Sequence, residues 1–577
     1  MNRDLTTAQK DYAIFLPATS GFYSTFIGKQ RYSNYVDPAR IPTSFKSGME
    51  SLNYLEPDKG AFYYNWCLYS AGHANLDLNK YDESEDMFRN RDRSTSWVLG
   101  DSGGFQIGKG VWEGEWRDPT SAVVQTKMAE CIAKGIETVP VLDKDGNPIV
   151  NKKGIARTTK IDHVKVYQAR LDAAQKKREQ VLTWMDALMD YGMVLDIPAW
   201  VERSPAGRLA TGITSYDEAV EATIYNNEYF MKHRNGNCKF LNVLQGETHA
   251  QADDWYSKMK DFCDPAKYPD NHFNGWSMGG QNMCDVHLVL KRLVALRFDG
   301  LLETGLHDWM HFLGTSKLEW ACLLTDIQRA VRKYHNPNFT ISFDCASPFL
   351  ATANGQIYIQ TETEDRKKWV YRMVPSVDNK KYAFDTRLFK DAVIQDGIFK
   401  NFESSPLIDQ VQIKDVCIYA PGDLNKIGKE GKTSWDSFSY AIQMGHNVWS
   451  HLNAVQEANR QYDNGKYPAM MVASKVEGKK FRQYSRNFFK DIVDDIFAAD
   501  TRDKANAIIE QYNRYWMDIP GTRGAIGAKT VNSSTQFAVF FDEEEDDSVH
   551  LEHGGELEDN IEQAEAILDE LEQSVKA

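Results

Sequence analysis

The chain has 577 residues, 42% of them hydrophobic, and a formal net charge of −15. That composition excludes disorder throughout and suffices for one large core or two moderate ones, since domains usually run to about 100–250 residues. No window approaches the roughly 18 consecutive apolar residues of a membrane span and the opening MNRDLTTAQK lacks a signal-peptide core, so the expectation is a cytoplasmic protein with no membrane contact.

In chain order, the first strong strand signal is WVLG (97–100), which runs into Asp101-Ser102-Gly103-Gly104-Phe105-Gln106. A carboxylate followed by two glycines at a strand tip is an open backbone position rather than a core one. Residues 141–166 then read as an insertion: Asp145-Gly146 is a favourable two-residue hairpin turn, and basic residues including Lys152, Lys153, Arg157 and Lys160 follow it. That segment is either a solvated basic loop or a nucleic-acid clamp. Further apolar runs end in polar or glycine residues at MVLDIP (193–198, with Asp196), FLNVLQG (240–246, with Gln245), GWSMGG (275–280, with Gly279 and Gly280), GLLETG (300–305) and TISFDC (340–345, with Asp344). Between them, 218–233 and 318–334 carry apolar residues at helical spacing.

Strand and helix patterns alternating in this way are the rhythm of β/α units, and about six of them over 300 residues fit a (β/α)8 TIM barrel better than an open sheet. A barrel puts its active site at the C-terminal ends of its strands. Asp101, Asp196, Gln245 and Asp344 all fall at such ends. The expected organisation is a barrel over 1–460, a helical region over 461–541, and an acidic tail over 542–577 that is partly disordered and ends in a helix near NIEQAEAILDELEQ. The tail holds 15 Asp and Glu against one Lys, which leaves the first 541 residues close to neutral. Exposed charges are screened beyond about 8 Å at physiological salt, so a tethered acidic tail does not exclude a nucleic-acid partner. The eight scattered cysteines form no CxxC pair and read as reduced thiols.

Taken together, DSGGFQ, VLQG, GWSMGG, HFLGTSK (311–317) and SFDCASP resemble, in order and spacing, the tRNA-guanine transglycosylase superfamily, over about 95–360 with a weaker echo at MGHNVWSHLNAV (444–455). The resemblance implies a TIM-barrel enzyme that exchanges guanine in a polynucleotide for a 7-deazaguanine. Asp344 matches the family's nucleophile, which forms a covalent nucleoside intermediate and retains configuration. Asp101 matches the general acid/base, and the two carboxyl groups are expected to titrate apart. Asp196 would accept from guanine N1–H and the 2-amino group; Gln245 and the Gly280 N–H would serve O6. Ser102 and Phe105 would contact the base or ribose, with Gly103, Gly104 and Gly279 giving close backbone approach. Two of these have plainer readings that stay open: Asp196 as a helix N-cap before Pro198, and Gln245 as a strand-end hydrogen bonder.

The chain departs from the family's tRNA enzymes twice. After the nucleophile it reads Pro348-Phe349-Leu350-Ala351-Thr352-Ala353, without the arginine that grips an anticodon loop. Of the family's zinc ligands only Cys417 and His446 have counterparts, and two ligands do not complete a structural site that needs four; no cofactor is certain, with zinc the one candidate. These departures point to the branch that places 7-deazaguanines in DNA, the DpdA-like proteins of phages and bacterial modification clusters, where the modification protects against restriction. The implied partners are DNA, with the target guanine flipped out of its stack, the free 7-deazaguanine base, and a DNA mimic or protein-partner role for the acidic tail. Three alternatives remain: a divergent tRNA transglycosylase, a noncatalytic nucleic-acid-binding subunit, and a glycoside hydrolase, which shares paired acids on a barrel but leaves DSGGFQ and SMGG unexplained.

Overall fold

The computed structural model describes the chain except residues 1–10, 34–37, 39–40, 81–84, 142–147, 151–153, 155, 419–436, 477–478, 483–486 and 521–577. The expected acidic tail and its terminal helix, the Asp145-Gly146 turn, Lys152 and Lys153 therefore lie outside the described residues. The chain divides into two compact units: the described residues of 1–101, 185–193 and 235–577, and those of 102–184 and 194–234.

In chain order the strands are β1 (Ile14–Pro17), β2 (Trp66–Ser70), β3 (Trp97–Asp101), β4 (Ile136–Pro140), β5 (Thr158–Asp162), β6 (Tyr191–Met193), β7 (Lys239–Leu244), β8 (Gly275–Met278), β9 (Trp309–Phe312), β10 (Thr340–Cys345), β11 (Gln356–Glu362) and β12 (Val370–Pro375). Eight of them form one sheet in the order β1-β10-β9-β8-β7-β6-β3-β2, every neighbouring pair parallel. A parallel bridge between Ala18 and Leu68, with the Thr19 N–H donating to Leu68 O at 2.9 Å, joins β1 to β2 and closes the ring. The expected TIM-like barrel is the fold of the first unit. Strands covered on both faces read as continuous apolar runs rather than alternating ones, as IFLP in β1 and SFDC in β10 illustrate, all buried.

Side chains alternate across a strand, so residues two apart share a face. Leu16, Leu68, Leu99, Met193, Leu241, Val243 and Trp309 form one buried cluster in the lumen. Below it, Trp66 stacks between Trp97 and Trp309 with ring centroids 4.8 and 5.0 Å away, and Tyr191 lies 4.5 Å from Trp309. This aromatic floor makes the lumen a packed core, as in other barrels of this kind. One step above the aliphatic layer, the same alternation turns Ser70, Asp101, Gln245 and His311 inward.

Two expected strands differ. GLLETG is not a strand; its place in the barrel is taken by WMHF, β9, after a turn through Gly305 at φ +82°. MVLDIP contributes only its first residue, because β6 stops at Met193. The helices predicted at 218–233 and 318–334 are Tyr216–His233 and Leu318–Tyr334. Leu318–Tyr334 buries Trp320, Leu323, Leu324, Ile327 and Val331 along one side. The region after 460 contains the helices Phe488–Ala498 and Arg502–Gln511; Arg297 donates to Phe497 O at 2.7 Å, and Arg502 is ion-paired with Asp299. It also holds a short antiparallel ribbon, Ala473–Val476 with Lys479–Arg482.

In the second unit, β4 and β5 pair antiparallel and the ladder runs on through Val141 N–H to Arg157 O and Arg157 N–H to Ile149 O, both 2.7 Å. The insertion is thus a hairpin whose first strand begins before 141 and whose last residues, from His163, open the helix His163–Leu188. Arg157 and Lys160 are exposed on it.

Candidate active site

Asp344 is two residues beyond Ser342 on β10 and is 8% exposed. Its Oδ1 accepts two hydrogen bonds, from the backbone N–H of Gly314 at 3.0 Å and from His311 Nε2 at 3.1 Å. His311 Nδ1 lies 2.8 Å from Ser342 Oγ, which accepts from Trp309 Nε1 at 2.9 Å. The indole N–H can only donate, so the Ser342 hydroxyl hydrogen is free to point at Nδ1. Donation from that hydroxyl to Nδ1 goes with a proton on His311 Nε2, facing the carboxylate. His311 and Ser342 are fully buried. Asp344 Oδ1 is thus anchored, whereas Oδ2 accepts no hydrogen bond among the described residues.

Asp101 ends β3 and is opposite Ser70 in the β2 register. Ser70 Oγ donates to Asp101 Oδ2 at 2.6 Å, and Ser70 is itself fixed by the Gly72 N–H at 3.2 Å. Going round the ring from β10 through β1 and β2 to β3, Asp344 and Asp101 are three strands apart at the same C-terminal mouth.

Gln245 follows β7, and Gly279 and Gly280 follow β8. The Gly279 N–H donates to Leu244 O at 2.8 Å and the Gln281 N–H to Gly246 O at 2.7 Å, which knits the two loops together. A Cβ at Gly279 would lie 2.8 Å from Gln245 Nε2, so glycine is what lets the amide lie against this backbone. Gly280 adopts φ +54°, in the left-handed region that favours glycine.

In the second unit, the glycines of DSGG have a local role. A Cβ at Gly103 would meet the Trp112 indole at 2.6 Å, and one at Gly104 would meet Asp196 Oδ1 at 2.8 Å. At these two positions the direction a Cβ would take is occupied by the protein's own side chains, so glycine is what the local packing requires. Asp196 is 6% exposed and is not a helix cap: the short helical turn Ala199–Arg203 is capped by Pro198. Phe105 meets Trp200 edge-on at 5.9 Å. Ser102 is buried.

Zinc does not fit Cys417 and His446. His446 Nε2 donates to Tyr358 O at 2.8 Å and Nδ1 bonds Ser405 Oγ at 2.9 Å, so neither nitrogen has a lone pair to spare; Cys417 is buried, its thiol 3.6 Å from Asn379 O. Burial holds His446 down to about pKa 4, in its neutral form. Among the described residues the metal-capable cluster is another one, His249, Asp285 and His287, with ligand atoms within 4.8 Å of one another. His249 and Asp285 are bonded at 2.6 Å, Asp285 also caps the helix Val286–Phe298 through Leu288 N–H, and the His249 and His287 rings stack nearly parallel at 5.5 Å and 19°.

No family model matches this chain, and no curated protein matches it. What the site can do follows from its own groups: an anchored buried carboxylate, a second carboxyl with a hydroxyl partner, and a glutamine beside a glycine backbone at the mouth of a closed barrel.

The residues that sequence reasoning missed are His311, Ser342, Trp309, Gly314 and Ser70. His311 and Gly314 stand in the quoted HFLGTSK, but their link to Asp344 depends on β9 lying beside β10 in the register that faces His311 with Ser342, and spacing along the chain does not encode that.

Proposed function

We propose that the protein is a transglycosylase that exchanges guanine in DNA for a 7-deazaguanine base. The observation that supports it most is the pairing of Asp344 and Asp101 at one barrel mouth, with Asp344 held through Oδ1 alone. In the first half-reaction Asp344 Oδ2 bonds to C1′ as the C1′–N9 bond breaks, and Asp101 gives its proton to the departing guanine. In the second, the incoming base loses a proton to Asp101 and bonds to C1′, and Asp344 leaves. Two displacements retain configuration and split one difficult step into two. The His311 N–H and the Gly314 N–H hold the nucleophile in place and stabilise it as the carboxylate leaving group of the second step. Gln245 and the Gly279–Gly280 backbone are the proposed partners of the base O6; the assignment of Asp196 to the guanine N1–H edge, and of Ser102 and Phe105 to base contact, rests on the sequence resemblance alone.

The preference for DNA over tRNA rests on the segment after the nucleophile. Ser347–Ala353 is a helix that carries no basic residue and buries Phe349 and Ala351, so it offers an anticodon loop nothing to hold. The test is incubation of the protein with 7-cyano-7-deazaguanine and either duplex DNA or tRNA, followed by digestion to nucleosides and mass spectrometry. A 7-deaza-deoxyguanosine is expected from DNA with the wild type and none with Asp344→Ala. Modification of tRNA alone would overturn the DNA assignment and keep the chemistry.

A further inference from the structure

The loop that fixes Asp344 through Gly314 continues directly into a basic pocket of the same unit. It is lined by Lys317, at the N-terminus of the helix Leu318–Tyr334, and by Arg366, Lys367 and Lys368 from the turn between β11 and β12, together with Glu319 and Trp369. The acidic residues that precede this turn are turned to other partners. Glu362 pairs with Arg372 at 2.6 Å, Glu364 with Lys466 at 2.9 Å, and Asp365 accepts the Lys367 backbone N–H at 2.9 Å. The pocket lining thus holds four cationic side chains against the single carboxyl of Glu319, although TETEDRKK is neutral as a sequence.

Two further atoms point to a ligand. Trp369 is 4% exposed, and its Nε1 is buried without a hydrogen-bond partner among the described residues; Glu319 Oε2 is in the same state. Buried polar groups are nearly always satisfied, and an indole N–H can only donate, so Trp369 Nε1 calls for a missing acceptor. Glu319 Oε1 takes the Trp369 backbone N–H at 2.8 Å, and burial raises the Glu319 carboxyl above its ordinary range, which favours the protonated form, a donor. Ammonium, guanidinium, indole N–H and carboxylic O–H are all donors, and the positive end of a 17-residue helix adds to them. An acceptor-only anion, such as a phosphate oxygen pair, would satisfy the Trp369 indole N–H and suit the cationic lining around it.

We propose that this pocket is a phosphate subsite that holds the backbone of the nucleic-acid strand flanking the reacting nucleotide, an assignment that rests on the transglycosylase reading above. Gly314 and Lys317 are three residues apart, at most about 10 Å of chain, which is the length of about three stacked nucleotides at 3.4 Å each. The pocket therefore grips the strand one to three nucleotides from the base being exchanged. This would supply, on the barrel face itself, part of the grip that the residues after the nucleophile lack.

The experiment is titration of the full-length protein against a fluorescein-labelled DNA duplex, and against an RNA of the same length, at several salt concentrations, for the wild type, Lys367→Ala/Lys368→Ala and Trp369→Phe. Lys367 and Lys368 are exposed, so the double variant should fold, as its circular dichroism will show. It is expected to bind duplex at least about 10-fold more weakly and to lose about 2 from the slope of log K against log salt, since each phosphate contact contributes about 0.9. Trp369→Phe, which removes one uncharged donor, is expected to weaken binding several-fold with the slope unchanged. An unchanged slope and affinity in the double variant, or a wild type that binds neither polymer, would overturn the subsite. Base exchange measured on the same proteins separates the two claims: a lost slope without any wild-type exchange keeps the subsite and sinks the transglycosylase reading, and exchange with an unchanged slope does the reverse. The effect appearing on RNA alone would keep the phosphate pocket and replace its polymer.

Discussion

At the scale of single residues, the proposed nucleophile, Asp344, is a carboxylate held through one oxygen. His311 holds it through geometry fixed three atoms away, where the Trp309 indole sets the Ser342 hydroxyl and the hydroxyl sets the imidazole. His311→Phe keeps a ring in the same space but leaves Asp344 Oδ1 with the Gly314 N–H alone. A hydrogen bond to a charged group contributes about 1.5–3 kcal/mol, so kcat for base exchange is expected to fall about 10- to 100-fold with KM little changed. His311→Gln, which can still present an N–H, should recover part of that loss. An unchanged kcat in the Phe variant with a lowered melting temperature would reduce His311 to packing. Ser70→Ala is expected to shift the pH profile of kcat, because the hydroxyl bonds the carboxyl group proposed to move the proton, whereas a residue that only fills space would leave the profile where it is. Asp101 and Asp344 stood out in the sequence as carboxylates at the ends of apolar runs and through the family resemblance. Their partners did not, since Ser70 and His311 acquire meaning only from the strands beside them.

At the scale of elements, hydrophobic pattern served well wherever a strand was long and uninterrupted. TISFDC and Leu318–Tyr334 appear with the bounds the pattern implied. The failures have local causes. GLLETG carries the leucines of a strand, but Gly305 adopts a positive φ that turns the chain, and the less apolar WMHF forms β9 because its Trp309 and His311 complete the lumen. β1 and β2 went unread because IFLP and WCLYS are four- and five-residue segments, too short for a period to show. The close contact of Gly279 with Gln245 gives an element-level prediction. Gly279→Ala forces a methyl group to within 2.8 Å of the Gln245 amide and should displace the β7 and β8 loops together, weakening capture of the free base while leaving DNA affinity at the wild-type level. The hairpin built on β4 and β5 predicts the opposite: if it clamps the strand, Arg157→Glu/Lys160→Glu lowers duplex affinity and the salt slope. A double variant with both unchanged would make the hairpin a solvated loop.

At the scale of the whole molecule, buried ionisable groups set the response of stability to pH. Burial lowers His446 to about 4 and His451 to about 3. Both stabilise the fold fully above about pH 6.5, the unfolded value, and that contribution is lost as pH falls toward their folded values. Asp326, lifted by burial to about 7, works the other way: its contribution is present below the unfolded carboxyl range and is lost as pH rises toward 7. Between pH 4 and 6.5 these three groups leave a net of about one proton; burial also lowers His307 and His335 and raises Glu319, so the unfolding free energy from urea titrations should fall on acidification as the histidine contributions are lost. Asp326→Asn removes an opposing member and should steepen the drop by about 1.4 kcal/mol per pH unit; an unaltered slope would show that Asp326 titrates as an ordinary surface carboxylate. The barrel was legible in the sequence as a whole because its β/α rhythm repeats. The division into two units was not, since a unit assembled from separate stretches of chain leaves no boundary in composition.

The measurement that bears most directly on the central claim is a search for the covalent intermediate. The protein is mixed with DNA in the absence of free base, denatured, digested with protease and nuclease, and its peptides are examined for an added deoxynucleotide. The account predicts an adduct on the peptide that carries Asp344, fragmenting at that residue, absent from Asp344→Asn and discharged when 7-cyano-7-deazaguanine is added before denaturation. Base exchange that persists in Asp344→Asn, or an adduct on any other side chain, would contradict it.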